Sequence, residues 1–345
     1  MSPSGRTFSS AADYPLRLPE MPLHDPYVVV DEKTEHYHLY TSNVSSLTGE
    51  TVTGTMVYRS RNLRDWTRPV VVFRTEPGRW ATDGAWAPEV HAYRGRYYLF
   101  TTLHNEDKPI PVPPPDAYGL PVQLANYQRG TIIAVADSLS GPFVPLQDRP
   151  AGPENFMHLD GTLHVDPDGR PWMVYAHEWL QKIDGTIEAV PLEEDLSRAA
   201  GDPIHLFKGS DATWLGEELP EPSTAQFAPY VTDGPQLYRA PNGALIMLWS
   251  TYEKNTNRKQ VSGGYVQTYA VSESGRLAGP WTQHPPLVRQ DSGHGMIFTT
   301  LGRDSRPLLI LHRPFNNARG KLYEIDFVGS ELRLGRQRTD LDGGG

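Results

Sequence analysis

The chain has 345 residues, 38% of them hydrophobic and 10% aromatic, and carries a formal charge of −9, a balance that suits a globular chain with one large core and excludes disorder as its main state. Without a basic stripe it lacks the electrostatic attraction that drives nucleic-acid binding, so nucleic acid is excluded as a partner. The absence of cysteine removes disulfides, thiolate metal sites and thiol nucleophiles together, which leaves Asp, Glu, His, Tyr and Ser to carry any chemistry.

From the N-terminus, residues 1–20 read as an extension. The first 25 residues hold no apolar stretch of the kind found in secretory leaders, so the expected location is cytoplasmic. With 31 Gly and 32 Pro, turns recur too often for long helices, and the short runs between them, rich in Val, Ile, Thr and Tyr, predict an all-β chain. Strands are expected at Tyr27–Val30, His36–Ser42, Thr55–Arg59, Val90–Leu103 folded about Arg94-Gly95, and Thr131–Ala136. Further along come Thr162–Glu178 folded about Asp168-Gly169, Gln236–Tyr252 about Asn242-Gly243, Tyr265–Val271, Met296–His312 and Lys321–Phe327. Asp-Gly and Asn-Gly suit tight hairpins because they tolerate positive φ. Lys108–Pro121 and Leu215–Val231 are broken by proline and read as surface loops bordering a cleft. The longest apolar run, Ala244–Trp249, is far short of the roughly 20 residues that cross a bilayer, so no membrane partner is expected. Residues 331–345 read as a C-terminal tail.

A short polar signature precedes a hairpin at near-even intervals: His24-Asp25-Pro26, Trp86-Ala87-Pro88-Glu89, Leu159-Asp160-Gly161, Thr232-Asp233-Gly234-Pro235 and Gly293-His294-Gly295. Five such units, each long enough for a four-stranded sheet, predict a five-bladed β-propeller over residues 21–330 as a single catalytic domain. Innermost strands of a propeller start near the axis, so Asp25, Asp160 and Asp233 are expected to face one another across a central pocket. Any one of them alone reads as a turn residue; their matched positions argue for a shared site. Converging carboxyls suit glycoside hydrolysis, where a carboxylate activates water and a protonated partner serves the leaving oxygen. A like charge nearby keeps that proton in place.

In order and at blade spacing, His24-Asp25-Pro26, Trp86-Ala87-Pro88-Glu89-Val90, Leu159-Asp160-Gly161-Thr162 with Asp166-Pro167-Asp168-Gly169, and Ser292-Gly293-His294-Gly295-Met296 resemble the block signatures of glycoside hydrolase family 43, the propeller group of arabinofuranosidases and xylosidases. The resemblance implies an inverting enzyme with Asp25 as general base and Asp160 as the carboxyl that raises and orients the acid. At the start of the fourth blade the family usually has Glu before Gly-Pro, whereas this chain has Asp233. One methylene shorter, Asp233 must sit closer to the leaving oxygen, or Glu178 of His177-Glu178-Trp179 acts instead. His24, Trp86, Glu89 and His294 are the expected sugar contacts, Trp86 by covering the apolar face of a ring. His294, between two glycines, is also the expected ligand of a structural Ca²⁺ near the axis, although the hydrolysis requires no cofactor.

The expected activity is removal of terminal α-L-arabinofuranosyl residues from an oligosaccharide partner, because the proline-rich stretch Lys108–Pro121 favours a closed pocket. A β-D-xylosidase or an endo-arabinanase of the same fold is the alternative within the class. A non-catalytic sugar-binding propeller is the alternative from another class. Oligomeric state is left open.

Overall fold

The computed structural model describes residues 14–111, 126–182, 184–215, 230–253 and 264–342. Among the described residues, twenty strands form five antiparallel four-stranded sheets, each built from four consecutive strands. Blade one comprises β1 (Tyr27–Asp31), β2 (His36–Ser42), β3 (Gly54–Ser60) and β4 (Val70–Arg74). Blade two comprises β5 (Asp83–Tyr93), β6 (Arg96–Pro109), β7 (Tyr127–Ala136) and β8 (Val144–Pro145). Blade three holds β9 (His158–Val165), β10 (Pro171–His177), β11 (Thr186–Pro191) and β12 (Ile204–Lys208). Blade four holds β13 (Asp233–Arg239), β14 (Leu245–Tyr252), β15 (Tyr265–Ser272) and β16 (Thr282–Val288). Blade five runs through β17 (Gly293–Thr299), β18 (Pro307–Arg313), β19 (Arg319–Val328) and β20 (Glu331–Gln337).

Local chemistry sets the hairpins. Between β5 and β6, Arg94 and Gly95 take φ of 46° and 81°, as a primed two-residue turn requires. Between β9 and β10, Asp166 Oδ1 accepts from the backbone N–H groups of Asp168 and Arg170 at 3.0 and 2.9 Å, closing the turn from a side chain.

Because side chains alternate across a strand, each blade feeds two junctions. In β14, Ile246 and Leu248 pack toward blade five while Met247 and Trp249 pack toward blade three. This two-sided burial explains the unbroken apolar run that the sequence shows there. Five buried clusters fill the five junctions in this way.

Three sequence boundaries are corrected. Blades one and five share no strand; their seam is filled instead by Leu18, Met21 and Leu23, all 1% exposed or less. The Leu23 N–H donates to the Ala318 carbonyl at 3.1 Å, and Arg319 Nε donates to the Pro19 carbonyl at 2.9 Å. Residues just before 21 therefore belong to the propeller rather than to an extension. Residues 331–337 are likewise no tail, since β20 pairs with β19 through Leu332 and Leu334, the inward half of an alternating Leu-Arg-Leu pattern. Lys108 and Pro109 end β6, with Pro109 opposite Tyr127; proline is tolerated at a strand end, where no further ladder bond is needed. Residues 112–125 and 216–229, which include most of the two proline-broken stretches, lie outside the described residues, as does the Gly343–Gly345 terminus.

Leu18→Ala is expected to cost about 2–5 kcal/mol of stability, because it opens a cavity at a seam that no ladder bridges. Equilibrium urea unfolding measures this, and a loss below about 1 kcal/mol would mean that the seam repacks without it.

Candidate active site

Each innermost strand enters its sheet through a residue at positive φ, followed two positions later by the first regular pair of the blade. These residues are Asp25 (46°), Ala87 (44°), Asp160 (56°), Gly234 (56°) and His294 (51°), and the pairs that follow are Tyr27↔Tyr40, Glu89↔Phe100, Thr162↔Val174, Gln236↔Leu248 and Met296↔Ile310. Left-handed backbone at non-glycine residues is costly and clusters at functional sites. The equivalence differs from the one the sequence signatures suggest: Asp25, Asp160 and His294 are matched, whereas Asp233 stands one residue before its blade's position and Glu89 two residues after. A Cβ on Gly234 would meet the His294 ring at 3.0 Å, so blade four gives up its axial side chain to make room for that imidazole.

Of the axial residues, Asp25, Asp160 and His294 line a pocket of about 580 Å³ with His24, Trp86, Arg129, Glu178, Asp233 and Tyr265. Asp25 Oδ1 is ringed by His24 Nδ1 at 2.9 Å, His294 Nδ1 at 3.2 Å and His312 Nδ1 at 3.3 Å. Its backbone N–H also donates to His312 Nδ1 at 3.2 Å. Burial alone would raise its pKa, but the charge and hydrogen bond of His24, with the neighbouring imidazoles, hold Asp25 well below the usual carboxylate range. Of the three rings, His24 is raised: burial works against its charge, and Asp25 outweighs it. Burial pushes His294 down to about 4 and lowers His312, so His24 carries the positive charge that keeps Asp25 ionised.

The other carboxyls are pushed the opposite way. Asp160, 3% exposed, is raised well above its usual range by burial and by the charges of Asp233 and Asp25. Its Oδ2 accepts the Gly234 N–H at 3.0 Å. Asp233 is pushed up to about 7 by burial, with Asp25 and Glu178 adding repulsion, against a hydrogen bond from Tyr265 Oη at 3.1 Å. The pocket thus holds one committed carboxylate and two carboxyls that cannot both ionise cheaply.

Glu178 is raised by burial, but Arg129 Nη1 binds both its oxygens. Arg129 also donates to the Tyr127 hydroxyl, and its guanidinium lies 4.9 Å from the Trp86 ring centroid. Trp86 is 38% exposed at the pocket wall, with the His104 ring 4.7 Å from its own. Glu89 does not reach the pocket. It is 2% exposed, receives hydrogen bonds from His91 and Gln236, and ties blade two to blade four beneath the floor. The expectation of a sugar contact is corrected accordingly: two residues past the left-handed position, the strand has already descended from the mouth.

Arg129, Tyr265 and His312 were not anticipated. They sit on second and third strands, where Thr131–Ala136 and Tyr265–Val271 look like plain core. One signal was available: in three second strands a histidine follows directly on an apolar run, at His104, His177 and His312. Calcium takes six to eight oxygen ligands. His294 Nδ1 lies 3.2 Å from Asp25 Oδ1 and 3.8 Å from Asp160 Oδ2, so a calcium ion held at His294 would draw most of its ligands from water. A larger cavity of about 930 Å³ opens at the far ends of β1 and β17, but its acids Glu32, Glu35 and Asp304 are solvated and oppose no buried like charge.

Five blades around buried carboxyls of opposed protonation define a propeller glycosidase. The chain belongs to glycosyl hydrolases family 43, whose family model matches residues 20–321. An endo-arabinase from Bacteroides thetaiotaomicron VPI-5482 is similar in structure, with 35% identity, a TM-score of 0.74, and coverage of 91% of this chain and 98% of that one. A thermostable family-43 glycoside hydrolase shares the fold at 21% identity, with a TM-score of 0.68 over 92% of this chain and 94% of that one. The extracellular endo-α-(1→5)-L-arabinanase 1 of Bacillus subtilis (strain 168) is 26% identical over 174 residues, 47% of this chain. The match spans 46% of that relative's length. The cytoplasmic expectation is corrected by this extracellular relative: lack of a recognisable leader in the first residues was too weak a basis for a location. Among the described residues no helix is long and apolar enough to cross a membrane.

Proposed function

We propose that the chain is an inverting endo-arabinanase that cleaves α-1,5-linked L-arabinan outside the cell. The substrate reading is carried by the 35% identity to the Bacteroides endo-arabinase over nearly all of both chains, and the extracellular reading by the Bacillus relative. The exo reading drew on a closure by Lys108–Pro121, of which residues 112–121 lie outside the described residues.

In the proposed chemistry Asp25, held ionised by His24, takes a proton from the water that attacks the anomeric carbon. Asp233, protonated up to about pH 7, supplies the proton that the leaving oxygen receives. Asp160, itself held neutral by burial and by the charges of Asp233 and Asp25, accepts the Gly234 N–H and so positions the backbone that carries the acid. Glu178 is the weaker acid candidate, because both its oxygens are engaged by Arg129. It serves to hold Arg129 against Trp86, which the sugar ring would cover. No step passes through a metal.

On linear debranched arabinan, an early ladder of arabino-oligosaccharides and a viscosity drop that outruns reducing-end release are expected, with the new anomeric centre inverted in time-resolved NMR. Free arabinose as the sole early product would instead establish exo action. Cleavage of xylo-oligosaccharides alone would replace arabinan by xylan as the substrate.

A further inference from the structure

We propose that Tyr265 is a catalytic residue, passing the proton of Asp233 to the leaving glycosidic oxygen. The inference rests on the reading of Asp233 as the acid. Tyr265 opens β15 on the pocket wall, and its Oη donates to Asp233 Oδ2 at 3.1 Å. Asp233 stands one residue short of its blade's axial position, with a single methylene between backbone and carboxyl. The phenol extends that reach by the length of a ring.

The ring is held as a rigid arm. It stacks on His312 with centroids 5.7 Å apart and planes 6° from parallel, meets Phe315 edge-on at 5.2 Å, and packs on Tyr252 at 5.0 Å. A Cβ at residue 293 would come within 2.3 Å of Tyr265 Cε1, and Gly293 is absent from the positive-φ glycines. Glycine is therefore needed there to admit the tyrosine ring, not to make a turn. Among the described residues no donor reaches Oη, so its lone pairs are free to accept. Burial and the charge of Asp233 hold the phenol well above its usual pKa, which keeps the arm loaded with its own proton.

When Asp233 is protonated, the phenol O–H turns from Oδ2 toward the glycosidic oxygen and the carboxyl donates to Oη across the same contact. As the bond between the anomeric carbon and the glycosidic oxygen breaks, Oη gives its proton to that oxygen and takes one from the Asp233 carboxyl. Water bonds to the anomeric carbon and yields its proton to Asp25. Tyr265 is unchanged, Asp233 ends ionised and Asp25 protonated, and solvent returns the proton between turnovers.

The test compares Tyr265→Phe, Asp233→Asn and the double variant Asp233→Glu/Tyr265→Phe on arabinohexaose and on a 4-nitrophenyl arabino-oligoside, whose leaving group needs little protonation. Tyr265→Phe is expected to lose about 10²–10³-fold in kcat on arabinohexaose and under about tenfold on the aryl substrate. The double variant should regain at least about tenfold on arabinohexaose, because a longer acid reaches the oxygen directly. Equal losses on both substrates, near-normal hydrolysis of arabinohexaose by Tyr265→Phe, or no recovery in the double variant would each overturn the relay while leaving Asp233 as the acid. Full arabinohexaose activity in Asp233→Asn would overturn the reading of Asp233 itself, and the relay with it.

Discussion

Asp25→Asn is expected to lower kcat about 10⁴-fold on arabinan and on aryl arabinosides alike, with KM little changed. The amide has the shape of the carboxylate but cannot accept the proton of the attacking water. A good leaving group offers no relief, because nucleophile activation fails before departure matters. The three imidazoles around Oδ1 also lose the anion they were arranged to hold, so His24 should titrate lower in the variant, visible by NMR of its ring protons. In Asp25→Ala, added azide should enter the vacated space and form a glycosyl azide of inverted configuration, since azide needs no base. A variant that keeps a tenth or more of wild-type kcat would remove Asp25 from the reaction.

The second large effect is on the acid. Asp233→Asn is expected to lose about 10²–10⁴-fold on arabino-oligosaccharides and much less on aryl substrates. The same group sets the alkaline limb of kcat/KM. The protonated form is the active one, so activity is full below the raised pKa and falls as pH rises through about 7. Asp25 must be ionised, and its pKa is lowered, so the acid limb lies below the usual carboxylate range. The profile should be a bell with its plateau on the acid side of neutrality. Asp160 is held neutral by burial and by the charges of Asp233 and Asp25, so Asp160→Asn, a neutral isostere, should leave the alkaline limb close to its wild-type pH. A limb that moves by about one pH unit or more would show that Asp160 ionises ahead of Asp233.

The sequence was most readable where side-chain chemistry and backbone demand coincide. Arg94-Gly95, Asp168-Gly169 and Asn242-Gly243 mark hairpins because the glycine of each takes a positive φ that few residues accept. The turns fall where expected, although the paired strands begin earlier than expected, β5 at Asp83 rather than Val90 and β9 at His158 rather than Thr162. Outer strands were missed. β4, β8, β12, β16 and β20 are short, or expose one face, and so carry little apolar signal. β11, an inner strand, was missed as well, its Thr-Ile-Glu-Ala-Val-Pro run holding a buried glutamate that the His177 ring and Tyr175 satisfy.

What the sequence by itself determined is the architecture and the axial trio. Five hairpin-forming units at near-even spacing impose five blades, and Asp25, Asp160 and His294 stand where each inner strand must begin. Tertiary structure alone decided the rest of the site. A one-residue offset moved Asp233 from axis to wall, and a two-residue offset took Glu89 below the floor, because side-chain direction depends on where the left-handed residue falls. His312, Tyr265 and Arg129 come from strands that lie far along the chain from the carboxyls they serve. Their roles follow from hydrogen bonds and ring contacts that exist only once five junctions have closed, and with them the opposed protonation of Asp25 and Asp233.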